Sequence, residues 1–426
     1  MILKRVVCVS KLIINGQRAL SGAAEIQGAK NSALPILAAT VLTKGESVLF
    51  RCPDLSDVEA SLGILRYLGC TAQRSGDAVV VKSEGLCRHD IPDGLMRKTR
   101  GSLVFLGAVL ASTGRARLCF PGGCEIGLRP IDLHLKALRQ LGAVVKERHG
   151  CIDCRAVHGL KGAQIALPFP SVGATEDIIL AACTACGTTT ITNAAREPEI
   201  RDLADYLNRC GAKIYGAGEG EIVIDGVKSL SGCNHALIPD RIVAATLISC
   251  AAMTGSEITL KGVIHSHLGA VLPVFEDAGC AFKAVENELT VKAPVKRLRP
   301  MKIVRTMPYP GFPTDAQAPL LAASTIADGT TVFIENIFEN RFRHASELTR
   351  MGADIKTEGK FAVVEGVPRL YGAAVEAVDL RGAAALLAAG LSAEGRTELS
   401  GVKYLERGYE RFEQVLSSLG ADVKKI

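Results

Sequence analysis

Six times along the chain an amphipathic stretch ends on a glycine set between small or apolar residues: Leu68-Gly69-Cys70, Leu141-Gly142-Ala143, Cys210-Gly211-Ala212, Ala278-Gly279-Cys280, Met351-Gly352-Ala353 and Leu419-Gly420-Ala421. Successive glycines lie 68 to 73 residues apart. A period of that length marks a repeated supersecondary unit, and such a unit buries its apolar face only by packing against its neighbours. Each copy has an earlier turn glycine, at Gly45, Gly114, Gly187, Gly255, Gly329 and Gly395, a little over twenty residues before the helix-ending one. Glycine suits these places because a helix C-terminus closes most easily through a left-handed residue.

One copy reads as an Ala/Leu-rich helix, a glycine turn, a short β-branched strand, a second amphipathic helix, then glycine and a final pair of strands. In the second helix Leu203, Tyr206 and Leu207 share a face, as do Phe412, Val415 and Leu416. Glu221-Ile222-Val223-Ile224 and Phe361-Ala362-Val363-Val364 read as strands. Six copies form either an open solenoid or two closed groups of three. A solenoid needs polar caps at both ends, and none is evident, so the expectation is an α/β protein of two threefold domains. The junction is expected near Asn234 to Asp240. Leu12 to Ile26 reads as strand and is expected to close the sixth copy, giving one domain over 31–238 and another over 1–30 plus 239–426.

The length of 426 residues fits two cores. Aromatic residues make up only 4% and tryptophan is missing, so the interior must be packed by Ala, Leu, Val and Ile, and a base-stacking platform is disfavoured. A net charge of +6 without a Lys/Arg tract does not point to nucleic acid, and no apolar run is long enough for a membrane span. Fourteen cysteines scattered singly through apolar segments read as reduced cytoplasmic thiols. No secretory signal is read before the first strand, since Lys4, Arg5 and Lys11 break the opening segment.

Pro121-Gly122-Gly123-Cys124-Glu125-Ile126-Gly127-Leu128-Arg129-Pro130 sets one thiol on a glycine-hinged stretch beside an arginine. Alone it is either a surface turn with an incidental cysteine or a loop that carries a reactive thiol, its pKa lowered by the nearby cation. Two other patterns are decoys. His149, Cys151, Cys154 and His158 imitate metal spacing, but in repeat register Cys151 to Arg155 is a strand with the two thiols on opposite faces. Gly216 to Gly220 imitates a dinucleotide fingerprint, but it falls between two strands with no helix after it.

Gly28-Ala29-Lys30-Asn31-Ser32-Ala33-Leu34-Pro35, the Cys124 segment, Ser171-Val172-Gly173-Ala174-Thr175, Ala195-Arg196-Glu197-Pro198-Glu199-Ile200, Phe312-Pro313-Thr314-Asp315, Glu339-Asn340-Arg341-Phe342 and Arg407-Gly408-Tyr409-Glu410-Arg411 together resemble the UDP-N-acetylglucosamine 1-carboxyvinyltransferase family of enolpyruvyl transferases. The resemblance is colinear from about Leu12 to Ile426. It implies a two-domain inside-out α/β barrel, each domain of three βαβαββ units, with the active site in the cleft between them. The implied reaction moves enolpyruvyl from phosphoenolpyruvate to the 3-hydroxyl of UDP-N-acetylglucosamine and releases phosphate, at the start of peptidoglycan precursor synthesis. It implies no cofactor and no metal. The partners implied are those two small molecules, not nucleic acid or membrane.

By the same resemblance Lys30, Arg129 and Arg407 surround the phosphoenolpyruvate anion, with Arg100 and Arg381 adding charge. Arginine suits such work because its planar fork grips carboxylate or phosphate in bidentate fashion. Asp315 faces the sugar hydroxyl, and Cys124 protonates the methylene and is the target of the epoxide fosfomycin. Asn31, Arg129, Pro130, Asp132, His134, Ser171, Val172, Gly173, Asp315 and Ile337 line the nucleotide sugar, and Arg341 joins the binding set. Lys30 is expected just before a helix announced by Asn31-Ser32 and by Pro35 in its first turn. Val243 and Pro319 stand where the family usually has Glu and Gln, and Thr99 and Gly101 alter the surroundings of Arg100. These departures leave room for a paralogue of weak turnover that senses UDP-sugar; a second alternative, a sister transferase with another acceptor, has the cysteine segment and Lys30-Asn31 against it.

Overall fold

The computed structural model describes residues 10–120, 131–148 and 150–426. Its α/β chain divides into two compact units, one of 27–120 and 131–240, the other of 10–26 with Arg241–Ile426. The twelve repeat glycines all have positive φ, from 64° at Gly255 to 133° at Gly329, so each stands where a side chain would strain the backbone.

In the 27–240 unit three mostly apolar helices, Lys30–Ala39, Phe105–Thr113 and Val172–Ala182, form the interior. A helix without a polar stripe has to be buried on every side, and this one-sided demand fixes what lies outside it. Three sheets of four strands do so, all built alike: a short edge strand runs parallel to the second strand, and the third and fourth are antiparallel. The last edge strand, Asn234–Ala236, pairs with Glu46–Phe50 of the first copy and so joins the third copy to the first. The amphipathic helices Ser56–Leu68, Asp132–Gln140 and Pro198–Arg209 add a second set. Leu203, Tyr206 and Leu207 are all fully buried, each worth about 1.5–3 kcal/mol of apolar transfer.

The other unit repeats the plan with interior helices Arg241–Met253, Thr314–Ser324 and Leu380–Ser392. Runs such as Ala383-Ala384-Ala385 and Ala388-Ala389 are fully buried, the close packing that a chain poor in aromatics requires. The segment expected as one strand over Leu12 to Ile26 is two, because the chain turns at Gly16 and at Gln17, whose φ is 61°. Leu12–Asn15 lies between Arg396–Ser400 and Asp422–Lys425 in the sixth copy, and Ser21–Glu25 is the edge strand beside Glu257–Lys261 in the fourth.

The boundaries differ from 31–238. Residues 27–30 and 239–240 belong with the first unit because Ala29 N–H donates to Ile238 C=O at 2.7 Å, Asp240 N–H donates to Gln27 C=O at 2.9 Å, and Gly28 bridges Pro239.

Both decoys resolve as secondary structure. Cys151–Arg155 is a strand in which Ile152 and Cys154 are buried while Cys151 and Asp153 are half-buried, and burial pushes the Cys154 thiol up to about 12. His149 lies outside the described residues. Gly216 to Gly220 turns between Lys213–Tyr215 and Glu221–Asp225.

Candidate active site

Each unit carries its own cluster of buried charge. In the 27–240 unit Lys30 is the first residue of its helix, so the helix starts earlier than the Asn31-Ser32 signal implies. Its N-cap is Ala29, whose methyl group offers no acceptor. The missing acceptor comes from Asp240, whose Oδ2 takes the Lys30 N–H at 3.1 Å. Pro35 falls at the sixth helical residue, not in the first turn, and has no N–H to give to the Asn31 carbonyl. The Lys30 ammonium lies 2.6 Å from Asp57 Oδ2, with the two side chains 9% and 2% exposed. Asp57 itself sits in the first turn of Ser56–Leu68, where the helix dipole favours a carboxylate.

A second pair in this unit joins two neighbouring elements. His134, third in Asp132–Gln140, places Nδ1 2.7 Å from Asp177 Oδ2, and Asp177 Oδ1 accepts the Gly107 N–H at 2.8 Å. The His134 ring faces the start of Val172–Ala182: a Cβ on Gly173 would stand 3.2 Å from its Cε1 and 3.3 Å from its Nε2. Ser171 is the N-cap of that helix and accepts from Ala174 N–H at 3.4 Å. Asp132 is exposed in its first turn, and Val172 is half-buried beside Ser171.

Burial raises Asp177 above the usual carboxylate range, against the pull of His134 and the Gly107 N–H. Its neighbour Glu176 is raised well above that range, by burial first and then by Asp177, Glu199 and Glu197.

Arg100 is half-buried and opens the short helical turn Arg100–Val104. Thr99 caps the turn by accepting the Gly101 N–H at 3.2 Å. A Cβ on Gly101 would meet Leu34 Cδ1 at 2.6 Å. Both departures beside Arg100 therefore have a local reason.

In the other unit Asp315, in the first turn of Thr314–Ser324, is not the cap, which is Pro313. Its carboxylate is held by two arginines: Arg341 donates to Oδ1 at 2.8 Å, and Arg381 reaches Oδ2 at 3.3 Å and Oδ1 at 3.3 Å. The guanidinium side chains are 3% and 4% exposed, while Asp315 is 30% exposed, so the acid is the reachable member. Asp379 caps Leu380–Ser392 by accepting from Arg381 and Gly382 N–H, and the Arg381 guanidinium lies 5.5 Å from the Tyr409 ring centre. Pro319, buried inside the Asp315 helix, has no N–H for the Asp315 carbonyl, the same arrangement as Pro35 and Asn31. Val243 is a buried core residue of Arg241–Met253.

Buried Glu335 organises the neighbouring loop. Its Oε1 accepts from Thr306 Oγ1 at 2.9 Å and from the N–H groups of Ile337 at 2.8 Å and Phe338 at 3.1 Å, while Oε2 accepts from Thr314 Oγ1 at 3.0 Å. It thereby ties Ile337 to the turn that carries Asp315. His344 is held down to about 4, by burial first and with the Arg341 cation adding to it, while Asp379 acts the other way. Arg407 is half-buried in the turn after Val402–Leu405, its N–H donating to Tyr404 C=O at 3.4 Å.

Of the residues singled out from sequence, the structure brings Lys30 together with a buried acid, His134 with Gly173, and Asp315 with Arg341 and Arg381. Cys124, Arg129 and Pro130 lie outside the described residues. Asp57, Asp177, Asp240 and Glu335 were missed. Asp177 comes two residues after the quoted Ser171 to Thr175 stretch and Glu335 two before Ile337, so a buried acid beside each motif was the available signal. For Asp240, 210 positions from Lys30, there was none.

Comparison with known proteins agrees with the repeat architecture. Residues 14–416 match the family described as EPSP synthase (3-phosphoshikimate 1-carboxyvinyltransferase). The chain is 47% identical to UDP-N-acetylglucosamine 1-carboxyvinyltransferase 2 of Caldanaerobacter subterraneus subsp. tengcongensis, over 98% of this chain and 100% of that one. It is 48% identical to UDP-N-acetylglucosamine 1-carboxyvinyltransferase 1 of Carboxydothermus hydrogenoformans, over 98% and 99%. Among solved structures, the enolpyruvyl transferase NikO from Streptomyces tendae superimposes with a TM-score of 0.89 at 28% identity, covering 98% of this chain and 99% of that one. EPSP synthase from Acinetobacter baumannii, at 20% identity and a TM-score of 0.76 over 98% and 100%, shares the fold. By its repeats, its charged helix starts and its full-length similarity, this chain belongs to the EPSP synthase (3-phosphoshikimate 1-carboxyvinyltransferase) family of enolpyruvyl transferases.

Proposed function

We propose that the protein transfers the enolpyruvyl group of phosphoenolpyruvate to the 3-hydroxyl of UDP-N-acetylglucosamine and releases inorganic phosphate, in the cytoplasm, as a step of peptidoglycan precursor synthesis. The observation that carries this reading is the similarity, at 44 to 48% identity along almost the whole chain, to relatives bearing that activity in their names.

The chemistry is addition followed by elimination. The 3-hydroxyl oxygen attacks C2 of phosphoenolpyruvate, its proton leaves to a base, and the methylene carbon takes a proton from an acid. In the elimination the methyl carbon gives up a proton as the C2–O bond to phosphate breaks, so the C=C bond re-forms and the product is the enol ether. In this reading Asp315 accepts the hydroxyl's hydrogen bond and takes its proton as the new C–O bond forms. Two guanidinium groups orient that carboxylate, and its 30% exposure leaves it open to a substrate. Cys124 is the acid that protonates the methylene. Lys30, Arg129 and Arg407 hold the phosphate and carboxylate of phosphoenolpyruvate, with charge from Arg100, Arg341 and Arg381. Asn31, Pro130, Asp132, His134, Ser171, Val172, Gly173 and Ile337 read the nucleotide sugar, with the capped start of Val172–Ala182 supplying backbone amides for diphosphate oxygens.

Phosphate release from phosphoenolpyruvate on addition of UDP-N-acetylglucosamine tests the reading. Turnover specific to that acceptor is expected. Release only with another alcohol, or binding of the nucleotide sugar without release, would replace it with one of the two alternatives. Fosfomycin is expected to add one equivalent of mass at Cys124, and an unmodified protein after incubation would remove the thiol from this scheme.

A further inference from the structure

Asp177 has no role among the residues assigned above, yet it is fully buried between two donors that arrive from different helices. Gly107 is third in Phe105–Thr113, so its N–H is one of the groups that the helix itself leaves without an intrahelical acceptor. A Cβ on Gly107 would stand 2.3 Å from the Asp177 carbonyl oxygen and 2.9 Å from Oδ1, so the approach needs a glycine there. On its other side Oδ2 meets His134 Nδ1 at 2.7 Å, and both side chains are shielded, 0% exposed for Asp177 and 9% for His134.

In its ionised form Asp177 gives these bonds one direction. An ionised carboxylate only accepts, so both neighbours must donate: the Gly107 N–H does so by nature, and His134 must carry a proton on Nδ1. Nε2 is then the atom left to face the start of Val172–Ala182, beside Gly173. From this we infer that Asp177 is a positioning residue, fixing His134 as the Nδ1-protonated ring so that Nε2 is the nitrogen offered to the nucleotide sugar. The inference rests on the proposed contact between His134 and that ligand. Asparagine cannot substitute for Asp177. It has one acceptor and one donor end, so either its NH2 turns to His134 and forces the proton to Nε2, or it confronts the buried Gly107 N–H.

The test is ring-nitrogen NMR on the full-length protein labelled at its eight histidines, with His134 assigned by the signal lost in His134→Ala. The native protein is expected to show the proton on Nδ1, and Asp177→Asn to move it to Nε2. In titrations with UDP-N-acetylglucosamine, His134→Ala and Asp177→Asn are each expected to weaken binding about tenfold, the size of one lost hydrogen bond. Adding Asp177→Asn to His134→Ala should then weaken it no further. The KM for phosphoenolpyruvate should stay within about threefold. A native ring protonated on Nε2 overturns the inference, and so does an Asp177→Asn loss that persists in full without His134. If Asp177→Asn does not fold, the native ring spectrum still decides. Unchanged binding in His134→Ala would instead defeat the ligand contact, and the ring spectrum, which needs no ligand, tells that failure from a failure of the positioning role.

Discussion

The starts of two interior helices, Lys30–Ala39 in one unit and Thr314–Ser324 in the other, are built on one plan with opposite charge. Each has a proline at its sixth residue, each leaves the carbonyl four residues earlier without that proline's N–H, and each sets an ionic residue in its first turn. In the first, a lysine meets the acid Asp57 and both are shielded. In the second, an acid is gripped by two shielded arginines and is itself 30% exposed. The repeat supplies the scaffold, and the choice of residue at the helix start decides whether the unit offers a cation or a carboxylate.

Asp315→Asn breaks the second half of that comparison most directly. It keeps the shape and removes the charge, and turnover should fall about 10²- to 10⁴-fold, the usual worth of a positioned base, measured as phosphate release at saturating substrates. Wild-type rates would show the carboxylate to be structural only.

Lys30→Met attacks the other half, leaving Asp57 buried without its ammonium. A loss of about 3–5 kcal/mol is expected in urea melts. Lys30→Met combined with Asp57→Asn should recover most of that stability without recovering turnover, separating the lysine's structural role from its chemical one.

The units should also respond oppositely to acid. His344, held down to about 4 from 6.5, binds fewer protons folded than unfolded between those values. Its unit therefore loses stability as pH falls through that window, on the order of 2 kcal/mol. Glu176 is raised well above its usual 4.5, so it binds more protons folded than unfolded above that pH. Its unit gains stability as pH falls from neutral towards 4.5. Domain-resolved hydrogen exchange at pH 7 and pH 5 should show protection dropping around His344 and rising around Glu176, and parallel changes would contradict the sign of one shift. The smallest effect is expected for Glu176→Gln, which removes the cost of burying an ionisable group and should raise the Tm of its unit at pH 7 by about 2–4 °C, the worth of about 1 kcal/mol in a unit of roughly 200 residues.

The architecture was legible because glycine at a left-handed position is a local requirement, and the six-fold spacing displayed it in plain view. Helix starts were less so. Asn31-Ser32 imitates a cap, but the acceptor that completes the Lys30 helix is Asp240, and a partner 210 residues away leaves no mark in the local sequence. The buried acids Asp177 and Glu335 were hidden for a related reason. Each stands beside a quoted motif, but only the approach of a second element shows what its oxygens accept. Thr99 and Gly101, which read as departures, turned out to form a local cap and a close contact with Leu34.

The placement of Leu12–Asn15 between Arg396–Ser400 and Asp422–Lys425 has a consequence for biosynthesis. A nascent chain leaving the ribosome can complete the 27–240 unit from one continuous stretch. The strand made before it must wait, unpaired on both edges, until the sixth copy has been translated.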